Sequence, residues 1–431
     1  MLLRILIYGY FPLLALGGGL ARIQHNELWQ GLGFIPPALY VTVRFARAAL
    51  ARQLRFRRGT LDPGIALAYA YVITYSVLYF PRSSAGLATL GTTPTLLVHV
   101  LFWHLVYTSR IYAGDRARYI QDVVVALSAG FLFGLANAVI FTGFTLAAGA
   151  VHDLAVLSPF VRSDLDVPAL ALVPIAVTIS TLRRSTRKLF LHGVVPSART
   201  GLLTLLSVFA LWLYARRGPI LCVPLIALLG LASNSLRRKA LVTMLAIPFL
   251  PLLWQPVSSV LLRISQTEFV RAVLVRNSPE DYLTATGRLD HWLLGFEFLR
   301  DFRPTHLIGY GGAPRYLTLG DNAHMHNAVL DVFFDAGLLS LGLAILLVFV
   351  TFKRLLRLID REGRLSEETC VLLLVLTSWL LLSAVEPILQ SFFIPHLVFL
   401  LVVISIMNLS RNVKEPFFPS PSQATLSSTG G

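Results

Sequence analysis

The sequence predicts an all-α polytopic membrane protein with about twelve transmembrane helices and one long extracytoplasmic loop that contains short helices. Three observations predict it. The 431 residues are 55% hydrophobic and only 14% charged, with a mean hydropathy of +0.70, which leaves too little charge to cover a water-facing surface. Apolar stretches recur along the whole chain, each near the roughly 17–25 residues that a helix needs to cross about 30 Å of hydrocarbon. Lys and Arg gather in every second connection between those stretches, as the positive-inside rule requires of cytoplasmic loops.

Taken in order, the apolar segments fall near residues 5–21, 31–49, 64–80, 92–110, 123–149, 167–182, 201–215, 218–235, 240–256, 328–352, 367–386 and 391–408. The second and sixth are the weakest, so about ten or eleven spans is the alternative count. Residues 1–3 and Arg4 precede the first segment, and no small-residue cleavage site follows it. It therefore reads as a retained helix and not as a removed signal peptide. Basic residues follow the second segment (Arg52, Arg55, Arg57, Arg58), the fourth (Arg116, Arg118) and the sixth (Arg183, Arg184, Arg187, Lys188). They also follow the eighth (Arg237, Arg238, Lys239) and the tenth (Lys353, Arg354, Arg357). This alternation puts both termini in the cytoplasm. The formal charge of +15 then reflects topology and attraction to anionic head groups, and nucleic acid is not an expected partner. Cys222 and Cys370 fall inside apolar segments with neither metal nor disulfide spacing, so they read as small packing residues.

The chain divides into helices over 1–256, an extracytoplasmic loop over 257–327, further helices over 328–408 and a Pro/Ser/Gly-rich tail over 409–431, which is expected to be disordered. Within the loop, Leu289, Trp292, Leu293, Phe296 and Leu299 follow helical spacing. That stretch suits an amphipathic helix lying along the interface, with Trp292 at head-group depth. Pro304 and the Gly309-Tyr310-Gly311-Gly312 turn then lead to the tenth segment. This glycine cluster carries neither a Rossmann nor a P-loop signature. Seven arginines (Arg263, Arg271, Arg276, Arg288, Arg300, Arg303, Arg315) face seven acids (Glu268, Glu280, Asp281, Asp290, Glu297, Asp301, Asp321). An anion site in this loop must therefore come from individually placed arginines, whose planar forks hold two phosphate oxygens and stay charged.

A further pair, Arg216 and Arg217, lies in the turn between the seventh and eighth segments, against the positive-inside trend. Either these arginines meet a specific anion or they snorkel to lipid phosphates. At the loop's end, His324, His326 and Asn327 stand just before the tenth segment. His326 has the chemistry of a general base. The alternative is that the pair are cap residues with Asn327 as N-cap. Asp331 and Asp335, a helical turn apart, share a face there and either bind sugar hydroxyls or pair with arginine. His291 and His306 read as solvated loop residues, and His99 and His104 as interhelical hydrogen-bonding groups. No carboxylate cluster or zinc spacing points to a bound metal.

These residues together resemble the O-antigen ligase and Wzy-type polymerase family, polytopic bacterial enzymes acting on polyprenyl-linked glycans. The family shows a Ser-Arg-Gly turn between two helices, then a long loop with Arg followed by Trp. It ends in His-Asn, an apolar stretch, an acidic residue and Gly-Leu-x-Gly. Here Ala215-Arg216-Arg217-Gly218 stands at the first position, with Arg217 on the family arginine and Arg216 where the serine is usual. Arg288-Leu289-Asp290-His291-Trp292 matches the second. His326-Asn327, Asp335, Gly337, Leu338 and Leu339 match the third, with aspartate in place of glutamate.

The resemblance implies an inverting, metal-independent glycosyltransferase without cofactor, in a GT-C-like architecture in the bacterial inner membrane. Its donor is a glycan on polyprenyl (in bacteria, undecaprenyl) diphosphate. It implies catalytic roles for His326, Arg288 and Arg217, and substrate contacts from Arg216, Asn327, Trp292, Asp331, Asp335 and His324. The implied partners are the lipid-linked oligosaccharide, the bilayer, and chain-length regulator and export proteins. The chain and its opening segment resemble the xanthan-type exopolysaccharide polymerases, which favours another lipid-linked repeat unit as acceptor. Transfer to lipid A core by a ligase is the first alternative. A lipid-linked oligosaccharide flippase is the second, disfavoured because its charges belong near the bilayer midplane.

Overall fold

The computed structural model describes residues 2–23, 32–50, 62–79, 92–109, 111–112, 115–141, 166–192, 198–214, 217–244, 303–311, 327–362, 366–383 and 394–409. Among the described residues the regular elements are all helices. They are α1 (Leu2–Ile23), α2 (Ile35–Leu50), α3 (Pro63–Tyr79), α4 (Thr92–Tyr107), α5 (Arg116–Phe141), α6 (Asp166–His192) and α7 (Ala198–Tyr214). Then follow α8 (Arg217–Leu231), α9 (Asn234–Met244), the short α10 (Thr305–Ile308), α11 (Ala328–Glu362), α12 (Glu367–Ser383) and α13 (Ile394–Leu409). Every apolar segment expected from the sequence coincides with a helix over all or part of its length, and α10 is an added turn inside the long loop. Among the described residues two stretches are long and apolar enough to cross a membrane, Ala117–Ile140 and Ala328–Asp360. The amphipathic stretch at 289–299 and the tail lie outside the described residues.

The helix starts follow capping chemistry. Asp62 Oδ1 accepts the Gly64 N–H at 2.8 Å ahead of α3, and Asp115 Oδ1 accepts the Arg118 N–H at 3.0 Å ahead of α5. Ser366 Oγ accepts the Thr369 N–H at 3.2 Å ahead of α12, where Glu367 and Glu368 occupy the first turn. Side-chain oxygens in these places satisfy amides that the helix itself leaves open, and acids there face the positive end of the helix dipole.

The bundle is apolar on its outside and carries polar groups within. Leu202, Leu205, Val208 and Trp212 form an exposed stripe on α7, and Leu221, Leu228 and Leu231 are exposed on α8. Inside, Tyr10 Oη and His99 Nδ1 lie 2.8 Å apart between α1 and α4, and Tyr69 Oη and His104 Nδ1 3.2 Å apart between α3 and α4. These are the interhelical bonds expected of the two histidines. Cys222 and Cys370 are both buried and free, as packing residues are.

Contacts at one end of the bundle join helix termini. Asp62 and Arg354 form a two-pronged ion pair, Nη1 to Oδ2 at 2.9 Å and Nη2 to Oδ1 at 2.8 Å. Arg354 Nη1 also donates to the Met407 carbonyl at 3.1 Å, so α3, α11 and α13 meet there. Asp122 accepts from Arg4 Nε at 3.1 Å and from the Tyr8 and Tyr112 hydroxyls at 2.6 Å each, tying α1 to α5. Burial, then the bond to Asp122 and that carboxylate's charge, raises the Tyr112 pKa and keeps its phenol a donor. Arg237, fully buried, donates from Nε to the Leu229 carbonyl at 2.5 Å and from Nη2 to the Gly230 carbonyl at 2.7 Å. It thereby caps the C-terminal end of α8. The Arg238–Asp360 contact at 3.7 Å is largely exposed and contributes little.

Candidate functional site

At the opposite end, α11 begins with a short buried unit. Asn327 is its N-cap: Oδ1 accepts the Val329 N–H at 3.0 Å and the Leu330 N–H at 3.1 Å. Asp331 Oδ2 in turn accepts the Asn327 N–H at 3.3 Å. This is a capping box displaced by one position, with an acid in the first turn. Asn327, Asp331 and Asp335 are each 0% exposed. Buried groups of this kind are tolerated only when hydrogen-bonded, and here they are held by the protein itself. Asn327→Ala is expected to lower stability by about 1 kcal/mol, whereas Asn327→Ser keeps a capping oxygen and most of that stability. Thermal unfolding of both variants in detergent checks this.

The regular helix stops at Gly337, whose φ of 71° and ψ of −175° are not helical. A break there exposes the carbonyls of the preceding turn. Two of them are taken up by the long loop: Tyr310 N–H donates to the Phe334 carbonyl at 2.7 Å, and Gly311 N–H to the Asp335 carbonyl at 3.0 Å. The strap 303–311 lies so close that Gly309, itself at φ 75°, and Gly337 meet backbone to backbone. The Gly309-Tyr310-Gly311 turn thus serves as a clip on a broken helix.

His306, expected to be solvated, is instead 1% exposed. Its Nδ1 accepts the Arg303 N–H at 3.1 Å, and its ring lies 5.6 Å from that of Phe333. The strap folds back onto α11 and covers it, a consequence of long-range contact that a reading of local polarity misses.

The carboxylate of Asp335 meets α3. Tyr75 Oη donates to Asp335 Oδ2 at 2.9 Å. Around that bond, Tyr75 lies with ring centroids 6.0 Å from Tyr71, 5.5 Å from Tyr79 and 6.2 Å from His396 of α13. The bond therefore sits in a lining of aromatic rings. Tyr71, Tyr75 and Tyr79 recur every fourth residue, a one-face stripe on α3 that helical spacing makes legible. The link from that stripe to Asp335 is not.

Of the site residues expected from sequence, the structure brings together Asn327, Asp331 and Asp335 at the front of α11. In the sequence His326 directly precedes this cap. Arg217 is the first residue of α8, a helix packed against α6 and α12. Arg216, Arg288, Trp292, His324 and His326 lie outside the described residues. Among the described residues no group of three or more His, Cys, Asp or Glu side chains is placed to hold a metal ion. Comparison with protein-family models, with curated proteins and with solved structures gives no match to this chain.

Proposed function

We propose that this chain is a Wzy-type polysaccharide polymerase of the bacterial inner membrane, transferring glycan from a polyprenyl diphosphate donor to a sugar hydroxyl of another lipid-linked repeat unit. The observation that carries the reading is the order of three motifs along the chain: the Arg217 turn, Arg288 with Trp292, and His326-Asn327 followed by Asp335 and Gly337. The compact unit at 327–337 supports it, because the last motif coincides with a capped, buried and clipped helix start and not with an ordinary loop. In this proposal the twelve apolar segments cross the membrane and both termini are cytoplasmic. The basic connections then face the cytoplasm and the 257–327 loop faces the periplasm. The exposed leucine stripes of α7 and α8 suit lipid contact.

The proposed step is one inverting displacement. The acceptor hydroxyl oxygen attacks the anomeric carbon of the donor and gives its proton to His326. The bond from that carbon to the diphosphate oxygen breaks, and the polyprenyl diphosphate leaves with the electron pair. Arg217 and Arg288 stabilise the charge that develops on it. In this proposal Arg216, Trp292 and His324 contact the substrate.

The test uses purified protein supplied with polyprenyl-diphosphate oligosaccharide, alone and with lipid A core, and products separated by size. Chain extension without the core acceptor is expected. Transfer only to the core makes the protein a ligase, and no transfer in either case refutes the enzyme. His326→Ala is expected to lower turnover by about 10²–10⁴-fold, and Arg288→Ala by about 10²–10³-fold, both with normal membrane insertion. Near-normal turnover of both variants removes the site assignment.

A further inference from the structure

We infer that Tyr75, through its bond to Asp335, is a positioning residue for the stretch 328–336, the helix start that carries the third motif. The turnover part of this inference rests on the polymerase reading; the structural part does not. Residues 328–336 are separated from the rest of α11 by the break at Gly337, so continuity with a long helix cannot hold them in place. Apolar burial and three sets of hydrogen bonds do. Asn327 and Asp331 close the front end by exchanging main-chain and side-chain bonds. Tyr310 and Gly311 hold the rear carbonyls. Both of these come from the loop side or from the stretch itself.

Tyr75 differs because it belongs to α3, a helix whose own start is tied through Asp62 to Arg354. Its hydroxyl joins 328–336 directly to the helical scaffold. Tyr75 is 0% exposed, so it acts by holding Asp335 and not by touching substrate. Asp335 lies in the last turn of its stretch, where a carboxylate faces the negative end of the helix dipole. A hydroxyl donor is what such a group requires, and Tyr75→Phe removes it while keeping the ring.

The experiment measures amide hydrogen exchange and steady-state kinetics on the full-length protein in lipid nanodiscs. Tyr75→Phe is expected to speed exchange of the 328–336 peptide about tenfold and to lower kcat about tenfold, with KM changed less than twofold. In Tyr75→Phe combined with Asp335→Leu, exchange is expected to match Asp335→Leu alone, because the Tyr75–Asp335 bond is already absent there. Tyr10→Phe, which removes a buried hydroxyl of the α1–α4 interface, is the control and leaves both readouts at wild-type values. Unchanged exchange in Tyr75→Phe overturns the clamp whatever the activity. Faster exchange with unchanged kcat overturns the positioning role and leaves a purely structural bond. A rise in KM with unchanged exchange makes Tyr75 a substrate contact instead. If the wild type transfers no glycan, the polymerase reading fails and the exchange arm still decides the clamp.

Discussion

Gly337→Ala is expected to abolish the proposed glycan transfer and to lower the unfolding midpoint more than any other single methyl addition in α11. The reasons are conformational and steric. Gly337 sits at φ 71° and ψ −175°, a region populated almost only by glycine and costing a side-chain-bearing residue about 1–3 kcal/mol. An added Cβ also meets backbone atoms of Leu307 and Gly309, which cannot swing aside as a side chain can. Relief requires the strap to withdraw, and the Phe334 and Asp335 carbonyls then lose the Tyr310 and Gly311 amides. Each buried polar group left without its bond costs about 1–3 kcal/mol. Gly342→Ala in the same helix provides the contrast. Its Cβ meets nothing within 4 Å, and alanine is the better helix former by about 1 kcal/mol. Thermal unfolding of the two variants side by side checks this; equal tolerance of both substitutions contradicts the backbone contact between Gly309 and Gly337.

The second large effect is expected at the other end of the bundle. Arg354→Leu leaves Asp62 with its Gly64 amide but without the guanidinium that bonds both its oxygens. The two side chains are only 18% and 9% exposed, so solvent screens the pair little. Removing one partner of such a pair costs about 3–5 kcal/mol, whereas replacing both with apolar groups is often neutral. Arg354→Leu should therefore melt well below the wild type, and Arg354→Leu with Asp62→Leu should recover much of the loss. Arg354→Lys should fall between, because one ammonium cannot make both prongs and the Met407 carbonyl bond together. Urea or thermal unfolding in detergent measures all three. A single variant as stable as the wild type means that the pair contributes nothing.

Helix existence was legible in the sequence because hydropathy over a window reports burial or lipid contact directly. Helix ends were less so. Hydropathy puts the start of the fifth apolar segment at residue 123, yet α5 starts at Arg116. Its polar first turns are held by the Asp115 cap and by burial of Tyr119 and Asp122, which hydropathy does not register. Hydropathy puts the start of the ninth segment at 240, yet α9 starts at Asn234, because Arg237 turns inward onto the end of α8 instead of remaining in a solvated loop. At the candidate site, Asn327 as a cap could be read from residue type and position. Asp331 and Asp335 could be assigned to one face, but not to their hydrogen-bond donors.

Sequence alone determined the all-helical character, the order of the apolar segments, the alternation of basic connections and the placing of polar residues just before α11. All of these depend on residue type and local spacing. Tertiary structure alone decided that α11 breaks at Gly337 and not at Gly342, that His306 is buried, and that Asp335 is held by Tyr75. The physical reason is shared by all three. Each depends on a partner elsewhere in the chain: the strap for Gly337, α11 for His306, and α3 for Asp335. Backbone freedom at a glycine or the donor chosen by a carboxylate is settled by what packs against it.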